Sequence, residues 1–157
     1  MIRGIAVAAS LAALPAAAQE VADLSPRDGW SITATEKAYD MLVADTRAAI
    51  TEGGLGIVTQ AGPTGAAAAR GVTIPGNTVI GAFNNAYAVD ILRVSTAAMI
   101  EAPIRFYVTE NADGTATLSY KRPSMVFAPY MAEAPELEPI TADLDDLFAT
   151  IAAAATE

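Results

Sequence analysis

The chain has 157 residues and a net charge of −9 at pH 7, and it contains neither cysteine nor histidine. The missing residue types exclude a disulfide scaffold, thiolate metal sites, a cysteine nucleophile and catalysis by a histidine base. The negative charge argues against nucleic acid as a partner because its phosphates would be repelled, and a hydrophobic content of 53% excludes an intrinsically disordered chain.

Residues 1–18 have the pattern of a secretory signal peptide. After a short positive start, the stretch from Gly4 to Ala18 is uncharged and apolar. It is shorter than the roughly 20 residues that a membrane span needs, and the small residues at its end suit signal peptidase. We therefore expect cleavage near Ala18, a periplasmic or secreted location, and no membrane span in the mature chain. Residues 19–29 are polar and predict a flexible lead-in to a single domain over residues 30–157.

The first predicted elements are a short strand and a long helix. Trp30 begins the strand, since tryptophan and isoleucine suit a pleated surface. Thr33 and Glu36 have the spacing of a capping box, which would start the helix there. Apolar residues then recur with helical spacing as far as Ile50, and the glycine pair that begins at Gly53 is expected to end the helix.

The middle of the chain predicts alternating strands and helices. Strands are expected over residues 55–59 and 78–83, with a short helix over 66–70 between them. Asn84 can cap a further helix that continues to about Ser95.

A β-hairpin is the best-defined element. Residues 104–109 and 116–120 both alternate between apolar and polar side chains. Matching the apolar faces pairs Phe106 with Leu118. Gly114 is then expected at a left-handed bulge position in the turn.

The last helix is predicted over residues 142–154, so the element order is β-α-β-(α)-β-α-β-β-α. Strands joined by a tight hairpin are antiparallel. We therefore expect an α+β fold with a single, mostly antiparallel sheet and helices packed on one face. The other face would be left for solvent, a ligand or a second subunit.

Several segments resemble the family known as domain of unknown function 302. They are Val79 to Asn85, Ile100 to Arg105, Asp113 to Thr115, Ser119-Tyr120, Gly53 to Val58 and Arg70 to Val72. The resemblance covers residues 30–130, and it departs from the family at Asn85, where proline is frequent, and at Ala102, where leucine is frequent. It implies a fold similar to that of the TATA-binding protein and a homodimer. It brings no reaction and no catalytic residue.

Glu101, Arg105 and Tyr120 are the first candidates for a ligand-binding site. In the register that matches apolar faces, Tyr120 lies across from Ile104 and close to Arg105, with Glu101 just upstream. A carboxylate beside an arginine can anchor a small polar ligand. The alternative is a structural ion pair that orders the entry into the strand.

Asn84 and Asn85 are the second candidates. Their amides could contact a ligand at a helix N-terminus, or they could act only as a cap and a turn. We assign no residue to catalysis or to a metal and predict no cofactor. The acidic residues from Asp143 to Asp146 lack the spacing of a calcium loop and suit the positive end of a helix dipole.

Three functions remain open. The first is a non-catalytic module that binds a small-molecule or hydrophobic ligand, or that dimerises. The second is a carboxylate-based hydrolase or isomerase that uses Glu101 as its base, although no partner group for that base can be placed. The third is a structural partner of an envelope protein. An apolar segment that includes Phe127 and Tyr130 is where we would expect a hydrophobic ligand.

Overall fold

A computed structural model of the protein describes residues 21–157. The predicted signal peptide and its cleavage site lie outside the described residues. Within them the strands are β1 (Trp30–Ala38), β2 (Gly56–Ala61), β3 (Asn77–Phe83), β4 (Ile104–Glu110) and β5 (Thr115–Lys121). The helices are α1 (Tyr39–Glu52), α2 (Thr64–Ala68), α3 (Asn85–Val94), α4 (Pro123–Phe127) and α5 (Leu137–Thr156), with short 3₁₀ turns at Ala98–Glu101 and Ala128–Tyr130.

The strands form one antiparallel sheet in the order β1-β5-β4-β3-β2. Helices α1 and α5 pack against each other and cover one face of this sheet, and α3 and α4 pack against α5. The predicted α+β class, the single antiparallel sheet and its one-sided cover of helices are confirmed. No helix within residues 21–157 has the length and apolar character that crossing a membrane requires.

Strand β1 is longer than predicted, and the expected capping box is wrong. Thr33 and Glu36 both lie in the strand, and α1 begins only at Tyr39. The reason is a long ladder with β5, reinforced by the Thr35 hydroxyl, which donates to the Ala116 carbonyl at 2.8 Å. These tertiary hydrogen bonds outweigh the local helix-start signal. The apolar stripe of α1 is confirmed, because its predicted positions are all buried or packed against the core.

The β4–β5 hairpin has the predicted faces but a register that differs by two residues. Phe106 pairs with Tyr120 rather than with Leu118. The tight turn fixes this register: the Asn111 amide donates to the Thr115 carbonyl at 2.8 Å, and the Thr115 amide donates to the Asp113 carboxylate. A slip of two residues leaves every side chain on its face, since the strand period is two.

The turn also confirms the left-handed position of Gly114, whose φ is +86°. The hydroxyl and the amide of Thr115 both donate to the Asp113 carboxylate. These hydrogen bonds favour the charged form and hold the pKa of Asp113 below its usual value.

Three aromatic side chains join the sheet to α5 at the centre of the core. The rings of Phe106 and Phe148 stack with their centroids 4.4 Å apart, and Tyr120 packs at a tilt against both. All three are buried. Helix α5 begins five residues before its predicted start, at Leu137. Pro139 is compatible with this start because it lies in the first turn, where the missing amide hydrogen is not needed.

Among the described residues, α1 and α5 lie on the first face of the sheet and leave the second face without their cover. On this face, β4 contributes the side chains of Arg105, Tyr107 and Thr109. The strand pairing places them beside side chains of β3 and β5. The end of the lead-in lies against it: residues 21–24 and the hairpin side of this face enclose a cavity of about 90 Å³. Asp23 accepts a hydrogen bond of 2.9 Å from the Ala112 amide. The lead-in therefore contacts the hairpin end of this face.

We expect Phe148→Ala to lower the free energy of unfolding by about 3–5 kcal/mol, because it leaves a cavity between two buried rings. Urea unfolding followed by circular dichroism measures the change. Ile100→Ala is the control: this side chain is 78% exposed, and its loss should change stability by less than about 0.5 kcal/mol. Equal losses in both variants would contradict the central role of the aromatic cluster.

Candidate functional site

A cavity of about 390 Å³ opens where β1 and β4 begin and β5 ends. The β4–β5 ladder stops at the Phe106–Tyr120 pair, so the residues that precede it on β4 and follow it on β5 border this space. We call it the Trp30 cavity. Its lining residues are Trp30, Val79, Ile104, Arg105, Tyr107, Tyr120, Lys121 and Val126. The volume lies within the range of about 300–1,000 Å³ that is usual for small-molecule sites.

Two cations, Arg105 and Lys121, line the Trp30 cavity. The Lys121 Nζ lies 5.7 Å from the centroid of the Trp30 ring, and the guanidinium of Arg27, which is not a lining residue, lies 5.2 Å from the same centroid. Both distances suit cation–π attraction. Among residues 21–157, neither Arg105 nor Lys121 has a carboxylate oxygen within 4.0 Å. The cavity therefore combines an aromatic wall with two cations that form no direct ion pair within the described chain.

Tyr107 separates the Trp30 cavity from the smaller cavity under the lead-in, because it lines both. Burial raises the pKa of its phenol, and the nearby Tyr39 adds to the rise. The phenol therefore stays protonated, and able to donate a hydrogen bond, over a wider pH range than a free tyrosine.

The structure brings together two of the three residues in the first predicted site. Arg105 and Tyr120 both line the Trp30 cavity, although their side chains belong to opposite faces of the sheet. Glu101 is not among the residues that line it. Its Oε1 instead accepts a 2.8 Å hydrogen bond from the Tyr130 hydroxyl. Within the described chain, Glu101 and Arg105 form no ion pair.

Asn84 and Asn85 lie elsewhere. Asn84 caps α3, since its Oδ1 accepts hydrogen bonds from the Ala86 and Tyr87 amides, and its Nδ2 donates to the Gly54 carbonyl at 3.1 Å. It borders an apolar space of only about 30 Å³, which is about the size of one water molecule. Asn85 is the exposed first residue of α3. Neither asparagine is among the residues that line the Trp30 cavity.

The expectation that Asp143 to Asp146 lie at the positive end of a helix dipole is wrong, because α5 begins at Leu137 and these residues follow its first turn. One of them has a structural role instead. Asp145 accepts hydrogen bonds from both the amide and the hydroxyl of Ser124, at 2.8 and 2.5 Å, and so fixes α4 against α5. Within residues 21–157, no group of three or more acidic side chains is placed to hold a metal ion.

Sequence reasoning missed Trp30, Tyr107, Lys121 and Val126 as parts of one site. Trp30 and Lys121 become neighbours only through the β1–β5 ladder. The alternation of side chains along the strands could have identified two of them. Tyr107 and Lys121 occupy strand positions that point away from the apolar face of the hairpin, so they share a face.

Comparisons with known proteins bear on the fold and the family. The family model described as "Domain of unknown function DUF302" matches residues 30–156. The crystal structure of an uncharacterized conserved protein, DUF302, from Bacillus stearothermophilus is similar with a TM-score of 0.73 and 16% sequence identity. The similarity covers 83% of this chain and 100% of that one. A comparison with curated proteins found no match.

We expect Glu101→Gln to lower the pKa of Tyr130 toward its ordinary value of 10.0. The hydrogen bond to Glu101, more than the partial burial and the nearby charge, raises this pKa in the wild-type protein. A raised folded-state pKa stabilises the protein below pH 10, and this contribution is lost as the pH rises through the folded-state value. Phenolate absorbance during alkaline titration measures the shift.

Tyr130→Phe is the control. The chain has five tyrosines, and the part of the absorbance change that this variant loses is the part that belongs to Tyr130. Superimposable titration curves for wild type and Glu101→Gln would show that the Tyr130–Glu101 hydrogen bond is absent in solution.

Proposed function

The chain belongs to the DUF302 family, and we propose that it is a non-catalytic module that binds a small molecule in the Trp30 cavity. One observation carries the proposal: an aromatic and apolar wall and two cations without acidic partners line the same space. Small-molecule sites typically combine mainly apolar walls with a few polar groups that orient the ligand.

The position of the cavity in the fold supports binding over a structural role. Arg105 and Lys121 are exposed, and they stand on the sheet face that the helices leave uncovered. Lys37, by contrast, has structural partners: it pairs with Asp45 at 2.8 Å and donates to the Ala155 carbonyl at 2.9 Å. Unpaired cations beside an aromatic ring leave interactions for a ligand to complete.

The alternative, a hydrolase or isomerase with Glu101 as its base, has less support. The Glu101 carboxylate accepts a hydrogen bond from Tyr130, and it is not among the residues that line the Trp30 cavity. A general base must lie within hydrogen-bond reach of the proton it removes. No contact in the described residues favours the third function, a structural partner of an envelope protein.

We further propose that the protein is exported and forms a homodimer. The N-terminal pattern supports export, since a positive start, an apolar stretch and small residues precede Gln19. The dimer is carried over from the family that the sequence resembles. The lack of cysteine is compatible with an oxidising compartment, because the fold does not depend on a disulfide.

Screening with a fragment library of neutral, cationic and anionic compounds should yield ligands that change the fluorescence of Trp30, the single tryptophan of the chain. We expect Val79→Phe to weaken the hits at least about tenfold, because the larger side chain fills the cavity. Val58→Phe is the matched control, a strand valine that is already 53% exposed and is not among the cavity residues. If no compound of any charge binds, or if both variants lose binding equally, the proposed function is wrong.

Expression of the full chain in a Gram-negative host should yield a periplasmic protein. Its denatured mass should equal that of a chain that begins at Gln19. Replacing the small residue before the cleavage site, as in Ala18→Trp, should leave the precursor uncut, because signal peptidase requires small residues there. Native mass spectrometry of the same sample should show twice the chain mass. An uncut chain in the cytoplasm would contradict export, and a monomer would contradict the dimer.

A further inference from the structure

We propose that the ligand of the Trp30 cavity is an organic monocarboxylate, with its carboxylate on Arg105 and Lys121 and its apolar body against Trp30, Val79 and Val126. This inference rests on the proposed function of the cavity, and it adds the chemical class of the ligand.

Charge selects an anion. Arg105 and Lys121 line the cavity, and in residues 21–157 neither has a carboxylate within ion-pair distance. A third cation, Arg27, lies over the Trp30 ring at the same end of the sheet. The chain as a whole carries a net charge of −9, so the cations at this end of the sheet are opposite in sign to the net charge of the chain. An arginine fork matches the two oxygens of a carboxylate.

The walls of the cavity select an organic ligand over an inorganic anion. Trp30, Val79, Ile104 and Val126 present apolar surface, and the space has room for roughly a dozen water molecules. A bare anion would leave this surface wet. An apolar body that displaces the water gains about 25 cal/mol for each Å² of apolar area it buries.

The acidity of the protein favours a single negative charge on the ligand. Every further charge must approach a molecule whose net charge is −9, and it would find only exposed cations that water and salt partly screen. Tyr107 adds a protonated hydroxyl group to the wall, which can donate to a carboxylate oxygen. A monocarboxylate therefore suits the donors of this cavity.

The test compares acid and amide pairs of equal shape by isothermal titration calorimetry: hexanoate with hexanamide, benzoate with benzamide, and 2-naphthoate with 2-naphthamide. In at least one pair the carboxylate should bind about tenfold more tightly than the amide. Arg105→Gln or Lys121→Gln should bring the two affinities within about threefold. Arg70→Gln, which removes an exposed guanidinium that donates to the Ala66 carbonyl and is not among the cavity residues, should leave the difference intact.

The outcomes distinguish a failure of the carboxylate proposal from a failure of the proposed binding function. Amides that bind as tightly as carboxylates, or carboxylates that do not bind while neutral fragments do, would overturn the carboxylate proposal and leave the binding function standing. A carboxylate preference that survives both glutamine variants would overturn the assignment of the headgroup to Arg105 and Lys121. A cavity that binds no compound of any charge would overturn the binding function as well. Circular dichroism of each variant verifies folding. The two cations are exposed and lie on separate strands, so if one variant fails to fold the other still tests the proposal.

Discussion

The alternation of side chains along β4 is the constraint on which the rest of the structure depends. Ile104, Phe106 and Val108 point into the core, while Arg105 and Tyr107 point to the opposite face. Burial of the first set beneath α1 and α5 drives the sheet and helices together, and Phe106 stacks on Phe148 of α5. The same alternation places the second set on the uncovered face, so one strand builds both the core and the candidate site.

The faces of this fold could be predicted from sequence, but the registers could not. Because side chains alternate with a period of two, the apolar face of the hairpin is the same in the predicted and the observed pairing. The two registers differ by two residues and bury the same apolar face. Hydrogen bonds in the turn, from Asn111 to Thr115 and from Thr115 to Asp113, decide between them. Such contacts depend on the turn conformation, which apolar patterning does not specify.

The candidate site, too, could be predicted from sequence only in part. Arg105 and Tyr120 could be named from the hairpin alone, since they lie on neighbouring strands. Trp30 could not be joined to them, because its place beside Lys121 depends on a ladder between the first and last strands of the chain. Glu101 was placed by its closeness in sequence to Arg105, but a 3₁₀ turn carries it to Tyr130 instead. Sequence proximity is a poor guide where the backbone leaves regular secondary structure.

The separation of the two faces determines which residues of this chain can be replaced without loss of the fold. Groups that line the Trp30 cavity from the uncovered face contribute little to the core, because the stacked rings of Phe106 and Phe148 lie on the other side of the sheet. Exposed cations such as Arg105 and Lys121 are therefore replaceable at small cost in stability. Ile104 and Tyr120 are exceptions, since both side chains are buried in the core and also border the cavity. Substitutions at the cations can thus change the charge of the cavity while the fold is kept, whereas a change at Ile104 or Tyr120 alters both the cavity and the core.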